Sequence, residues 1–246
     1  ASAAVDTAKS EIEELTNKVV AESEVELTIY DPVKKDSSGK PVRMVRRAET
    51  NLGDFCADVL REETGAEIAL ISGGGIRNNI RSGDITYGDI ISVWPFQNSV
   101  CVIKATGQQI LDGLEWGARS TPGENGGFFQ TSGLCYEIHV NVPNGCVADA
   151  SGMMTGIEGE RRVKNVTVNG EAIDPERIYS VAGVNYTLLQ NGDGFTAFDG
   201  ADVLIEDAGL DNQILIDYIT EKLGGVIGSE YADPYGQGRI TFTEAR

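Results

Sequence analysis

The stretch EIALISGGGIRNNI, Glu67 to Ile80, decides how this chain is read. Its first six residues are a short, mostly apolar run of the kind that forms a buried strand. The run passes directly into three consecutive glycines and then Arg77. Three adjacent glycines cost roughly 2 kcal/mol in backbone entropy against alanines, so the turn is expected where something comes close to the backbone. Gly73-x-Gly75 begins like a dinucleotide-binding fingerprint, but the third glycine of that pattern is Asn78 here, and no GxxxxGK[ST] exists in the chain. What remains is a strand-to-loop turn with several exposed N–H groups and Arg77 as a fork for a carboxylate or phosphate.

Working outward, TNLGDFCADVLREETG upstream reads as a helix. Thr50 or Asn51 is its N-cap, Leu52, Phe55, Cys56, Val59 and Leu60 form one apolar face, and Gly65 is the stop. Downstream, TYGDIISVWPF predicts a short helix capped by Thr86 that ends before Pro95 and leaves Phe96 on a loop. SVCVIKA is a strand, and TGQQILDGLEWGA carries a capping box, Thr106 with Gln109.

The second half is richer in strands: GFFQTSGLCYEIHV, RRVKNVTVNGEAI with an Asn169-Gly170 hairpin turn, RIYSVAGV and GRITFTE. One helix, DNQILIDYITEKLGG, interrupts them, with Asp211 read as its cap and Gly224 as its stop. Helices and strands segregated in this way predict an α+β, layered fold over a doubly wound parallel sheet. At the N-terminus, Val5, Ala8, Ile12, Leu15 and Val19 recur at helical spacing, so residues from about 3 to 21 are expected to form an amphipathic connector helix.

Composition narrows the function. Acidic residues number 38 against 20 basic ones, a formal charge of −18, which opposes encounter with nucleic acid or an anionic membrane. An anionic ligand must be met by a local arginine cluster. No apolar run approaches the ~20 residues of a membrane span, so no transmembrane segment is expected. The N-terminus lacks the basic and apolar regions of a signal peptide, consistent with a removed signal or a start within a longer chain.

Four cysteines include no CxxC pair. Cys135 and Cys146 flank CYEIHVNVPNGC, an alternating run ending in a Pro-Asn-Gly turn. A disulfide closing that hairpin is expected, worth ~3 kcal/mol in the loop-entropy picture and pointing to an extracellular or periplasmic setting.

One histidine, His139, lies in the alternating strand YEIHV, and no GxSxG elbow exists. A Ser-His-Asp triad and a histidine-rich dinuclear metal centre are both without material here. Two rings sit outside the periodic pattern: Phe96 after a proline, and Tyr186 in NYTLLQNGDGF. Flat rings on loops suit a planar ligand, each stacked base being worth ~1–3 kcal/mol. Asp193, between Gly192 and Gly194, could accept hydrogen bonds from a diol.

In this order, TNLGDF, SGGGIRN, GDITYGDI, WPFQN, GGFFQTSG and NGDGF resemble the C-terminal domain of the 5'-nucleotidase and UDP-sugar hydrolase family. The resemblance covers about residues 25 to 243, with residues 1–24 resembling the connector. It implies a four-layer α/β/β/α fold. It also implies a partner domain in the same polypeptide, an N-terminal metallophosphoesterase holding two divalent metal ions, with no cofactor in this one. The implied ligand is a nucleoside monophosphate or UDP-sugar, and the implied setting extracellular, cell-wall associated or periplasmic.

By position, the resemblance makes Phe96 and Tyr186 the rings around the base, Asp193 the ribose ligand, and Arg77 and Arg46 the phosphate-facing arginines. A third family arginine falls at Val42, with Arg43 its nearest substitute, and Gly74 and Gly75 form the wall beside the ligand. The stretch from Tyr186 to Asp193 is one residue longer than the family pattern, and Ser72 stands where animal members often have asparagine. On its own this chain is expected to bind and not to hydrolyse. The alternative reading is a surface or adhesion module that keeps the fold without the nucleotide.

Overall fold

The computed structural model describes residues 2–243. In chain order its helices are α1 (Ser2–Thr16), α2 (Asn51–Thr64), α3 (Tyr87–Val93), α4 (Gly107–Gly117), α5 (Asn185–Leu188) and α6 (Asp211–Asp217). The strands of the first half are β1 (Val19–Ser23), β2 (Tyr30–Lys35), β3 (Pro41–Arg43), β4 (Ile68–Ser72), β5 (Gly83–Thr86), β6 (Val100–Thr106), β7 (Phe129–Ser132) and β8 (Leu134–His139). Those of the second half are β9 (Cys146–Ala148), β10 (Met154–Ile157), β11 (Val163–Val168), β12 (Glu171–Ala172), β13 (Ile178–Val184), β14 (Asp202–Ile205), β15 (Val226–Ile227) and β16 (Ile240–Thr243).

A five-stranded sheet in the order β14-β6-β13-β4-β7 forms the centre. β4 and β13 run parallel, while β6 and β7 are antiparallel to them. Alternate side chains of these strands enter two separate cores, as a period of two requires. Ala69, Ile71, Val102 and Ala182 face Leu52, Phe55 and Val59 of α2, Ile90 and Val93 of α3 and Leu215 of α6. Ile68, Leu70, Ile103 and Val181 face the other way, toward Ile110 and Leu114 of α4 and toward Leu134, Tyr136, Ile138 and Val166. The latter four belong to a second sheet, β12-β11-β8-β16. The layered α+β architecture expected from the segregation of helices and strands is therefore what is found.

Local signals explain the elements that hold the site. The Thr50 side chain accepts from Gly53 N at the start of α2, and Gly65 closes that helix at φ 67°. Reciprocal capping boxes start α3 (Thr86 with Asp89) and α4 (Thr106 with Gln109). Asn169 and Gly170 both have positive φ and turn β11 into β12.

Three expectations need correction. The N-terminal helix stops at Thr16, whose Oγ1 bonds back to Ile12 O, and the β-branched pair Val19-Val20 begins β1 instead. That strand pairs with β5 and β15, burying Ala21 and Ser23.

The Cys135–Cys146 disulfide is absent, both residues being free thiols. β8 pairs with β11 and β16, whereas β9 pairs only with β10, so the Pro-Asn-Gly segment does not close a hairpin. Cys135 lies on the solvent side of its strand, while Cys146 packs toward α4 with its Sγ 3.5 Å from Glu115 O. The redox argument for compartment lapses with the bond.

The helix expected to run to Gly224 is α6 followed by a π-helical turn, Tyr218–Lys222; Gly224 stops it at φ 64°. Glu244 of the closing strand lies outside the described residues.

Candidate ligand cleft

The carboxyl ends of the parallel strands β4 and β13 and the start of β6 meet at one edge of the central sheet. The loops leaving them enclose a cleft of about 580 Å³. Four segments line it: Arg46 from the turn before α2, Ser72, Gly74 and Gly75 after β4, Trp94, Phe96 and Asn98 before β6, and Val184, Tyr186, Thr187 and Asp193 after β13. Gly126 and Asp211 complete the wall.

The three glycines are explained by the chain itself. A Cβ on Gly73 would lie 2.0 Å from Val45 O, and one on Gly74 2.8 Å from Gly126 Cα. Their N–H groups are also used: Gly73 N donates to Phe128 O and Gly74 N to Gly126 O, both at 2.7 Å, and Gly75 N donates to Ser72 O. The expected row of free N–H donors is thus not available to an anion. The glycines let the Arg46 turn and the 125–128 segment close on the end of β4, which brings Arg46 and Gly126 into the cleft.

Charge falls to the arginines. Arg46 has its Nε buried without a partner. Burial weakens its hold on a proton, as do the positive charges of Arg43 and Arg77, with Glu124 and Asp193 opposing. Arg46, under-neutralised in this way and with Arg77 nearby, favours an incoming anion. Arg77 lies beside the cleft, its Nη1 donating to Gly74 O and its Cζ 5.8 Å from the centre of the Phe96 ring. Arg43 is not brought in: its guanidinium stands over Tyr30 and lines a separate hollow of about 440 Å³ with Lys40 and Arg47.

Phe96 is 60% exposed and Tyr186 43% exposed, so both rings present a free face at the cleft. The Tyr186 ring lies across Gly192, where a Cβ would come within 2.4 Å of it, and its Oη donates to Asp193 Oδ1 at 3.4 Å. So despite the longer connecting stretch, Tyr186 still lines the cleft.

Asp193 has φ 54°, and its carbonyl accepts from Trp116 Nε1 at 2.9 Å and Arg119 Nη2 at 3.4 Å. Gln97, Asn191 and Asp193, three non-glycine residues with positive φ, all lie in the loops around the cleft. The other two such residues among those described, Asn165 and Asn169, lie away from the cleft.

Sequence reading misses Arg119, Thr187 and the role of Asp211. Arg119 stacks over Trp116 with its Cζ 4.0 Å from the ring centre, and Thr187 shares a hydrogen bond with Ser72. Instead of capping a helix, Asp211 turns to the loop before β6, its Oδ2 accepting from the backbone N and the Nδ2 of Asn98. It is 1% exposed, and burial raises its carboxyl to about 6, against the hydrogen bonds from Asn212 and Asn98. Only the WPFQN motif, which contains Asn98, could have hinted at this pair.

As a class, this is an α+β domain whose cleft joins an under-neutralised arginine group to exposed rings and a carboxylate, the fittings for a ligand with both an anionic and a planar part. Residues 19–200 match the family model "5'-nucleotidase, C-terminal domain", and the chain belongs to that family. The trifunctional nucleotide phosphoesterase protein YfkN of Bacillus subtilis is 33% identical over 243 residues, 96% of this chain and 14% of that protein. Protein UshA of Escherichia coli is 27% identical over 178 residues, 72% of this chain and 28% of its own. The crystal structure of a 5'-nucleotidase precursor from Thermus thermophilus is 29% identical, with a TM-score of 0.76 over 100% of this chain and 43% of that one. The chain thus spans less than a third of these two curated relatives and under half of the solved one.

Proposed function

We propose that the cleft binds a nucleoside 5'-phosphate, and that this chain is the substrate-binding domain of a 5'-nucleotidase or UDP-sugar hydrolase type of phosphohydrolase. The observation that carries the reading is the convergence of Arg46, Phe96, Tyr186 and Asp193, from three separate segments, on one cleft. Arg46 and Arg77 meet the phosphate, Phe96 and Tyr186 hold the base, Asp193 accepts from the ribose hydroxyls, and Gly74 and Gly75 form the wall. Arg43 is left out of the phosphate site. A UDP-sugar would place its further groups beyond the same arginines.

Hydrolysis belongs to a metallophosphoesterase domain in the rest of the polypeptide, joined through the helix at the N-terminus of this chain. Two divalent ions there would activate water. Among the described residues no group of three or more His, Cys, Asp or Glu is placed to hold a metal ion, and His139 bonds Glu137 on the second sheet. This chain's own contribution is orientation and charge complementarity. The reading carries with it the extracellular, cell-wall or periplasmic setting that the family resemblance implies; separately, no helix among the described residues is long and apolar enough to cross a membrane.

Calorimetry with adenosine monophosphate tests the reading. The wild-type chain should bind, and Arg46→Ala should weaken binding by about 2 kcal/mol, the worth of a charge-assisted hydrogen bond. Equal binding by the two would overturn the phosphate assignment. Metal-dependent hydrolysis by the purified chain would overturn the division of labour.

A further inference from the structure

Asp211 carries a charge at a place where a charge is expensive. It is almost wholly buried, it lines the cleft, and it meets no cation by hydrogen bond or ion pair among the described residues. Its oxygens are held instead by three N–H groups: Asn212 N to Oδ1 at 2.7 Å, and Asn98 N and Nδ2 to Oδ2 at 3.3 and 3.4 Å. Asp211 N in turn donates to Asn98 O at 2.9 Å. Three of these contacts, all to Asn98, therefore tie the loop that carries Phe96 to the start of α6. Stability alone gives little reason for a carboxylate here, since an apolar residue would avoid its desolvation.

The chemistry of the pair gives a reason. A carboxylate only accepts hydrogen bonds, so the Asn98 carboxamide must present its nitrogen to Asp211. That removes the usual freedom of an asparagine to exchange its oxygen and nitrogen by rotation. The Asn98 Oδ1, and the second hydrogen on Nδ2, are then presented in one fixed sense, two residues from the exposed Phe96 ring and in the lining of the same cleft. A fixed acceptor beside a fixed donor complements a planar heterocycle whose edge carries a donor next to an acceptor.

We infer that Asp211 is a positioning residue which locks the Asn98 carboxamide as the reader of the nucleobase edge, so that base preference is set by this pair and not by the stacking rings. The inference rests on the nucleotide reading of the cleft. Stacking is tolerant of the base because every base has a π-face. A locked amide is not, because the wrong edge leaves buried polar groups unpaired.

The test is a calorimetric panel of the monophosphates of adenosine, inosine and uridine, with ribose 5-phosphate as the base-free control. Wild type is expected to prefer one base by tenfold or more. Asp211→Asn, which can offer either a nitrogen or an oxygen to Asn98, should compress that ratio to within about threefold and leave ribose 5-phosphate binding unchanged. Asn98→Ala should do the same, and the double variant should be no worse than Asn98→Ala alone. A merely structural role would lower all affinities together and would add to the Asn98→Ala effect.

The inference is overturned if wild type shows no base preference, if Asp211→Asn keeps the wild-type ratio, or if the two effects add in full. Should Asp211→Asn fail to fold, an unchanged ratio in Asn98→Ala overturns it equally. Binding of ribose 5-phosphate and every nucleotide without preference removes this inference alone, whereas binding of none removes the nucleotide reading with it.

Discussion

Arg239 and Arg46 are the same side chain in two opposite situations. Arg239 donates to both oxygens of Asp58, to Thr131 O and to Gln237 Oε1, all between 2.7 and 2.9 Å. Burial works against its charge, but Asp58 and Asp54 outweigh burial and raise its affinity for the proton. Arg46 is also partly buried, yet its nearest charges include two further arginines, its Nε has no partner, and its proton affinity is lowered. One arginine is satisfied by the fold and clamps the segment leading into β16. The other keeps an Nε that the fold leaves without a partner, as expected of the binding cation proposed for the cleft.

The largest effect that could break this comparison is on stability. Arg239→Ala would leave the largely buried Asp58 without its bidentate cation, a loss of about 3–5 kcal/mol in urea unfolding. Arg46→Ala, which relieves like charges, should change stability by less than about 0.5 kcal/mol. Equal losses in the two variants would erase the distinction.

The next effect concerns the acidic side of the Arg239 clamp. Burial, with Glu49 close by, raises Asp54 to about 9, although Arg239 pulls it down. A folded value above the unfolded one means that this group's contribution is fully present below the unfolded value near 3.8, and is lost as pH rises toward 9. Stability should therefore fall between about pH 5.5 and 7.5 by up to ~1.4 kcal/mol per pH unit for one proton, and Asp54→Asn should flatten that slope. An identical slope in the variant would show that Arg239 keeps Asp54 ionised throughout.

The same contrast explains what can be read from sequence. The helices α2, α3 and α4 are legible because caps and apolar periodicity are local, as are Phe96 and Tyr186, whose rings break that periodicity. The glycine run is legible as a close approach, but not its partner: the backbones that meet Gly73 and Gly74 come from Val45 and Gly126, and no local pattern encodes that contact. Cys135 and Cys146 mislead for the matching reason. Their spacing fits a hairpin, while β8 and β9 take partners elsewhere in the chain. Arg43 and Arg46 are equally basic and close in sequence, so only the turn at Met44–Arg46 determines which one enters the cleft. Asp211 looks like any aspartate opening a helix until the loop carrying Asn98 is folded onto it.

The smallest of these effects is at Phe96, and it sharpens the comparison from the ligand's side. The ring is exposed, so removing it leaves no cavity and should barely alter stability. What Phe96→Ala removes is a stacking face, about 1–2 kcal/mol of nucleotide affinity, and with it the ring beside which Arg77 stands at 5.8 Å. Binding of ribose 5-phosphate measures the second part separately, because that ligand has no base to stack. If its affinity holds while that of adenosine monophosphate falls roughly tenfold, ring and guanidinium act on different parts of the ligand. If both fall together, Phe96 serves mainly to place Arg77, and the cation of the cleft depends on its aromatic neighbour much as Arg239 depends on Asp58.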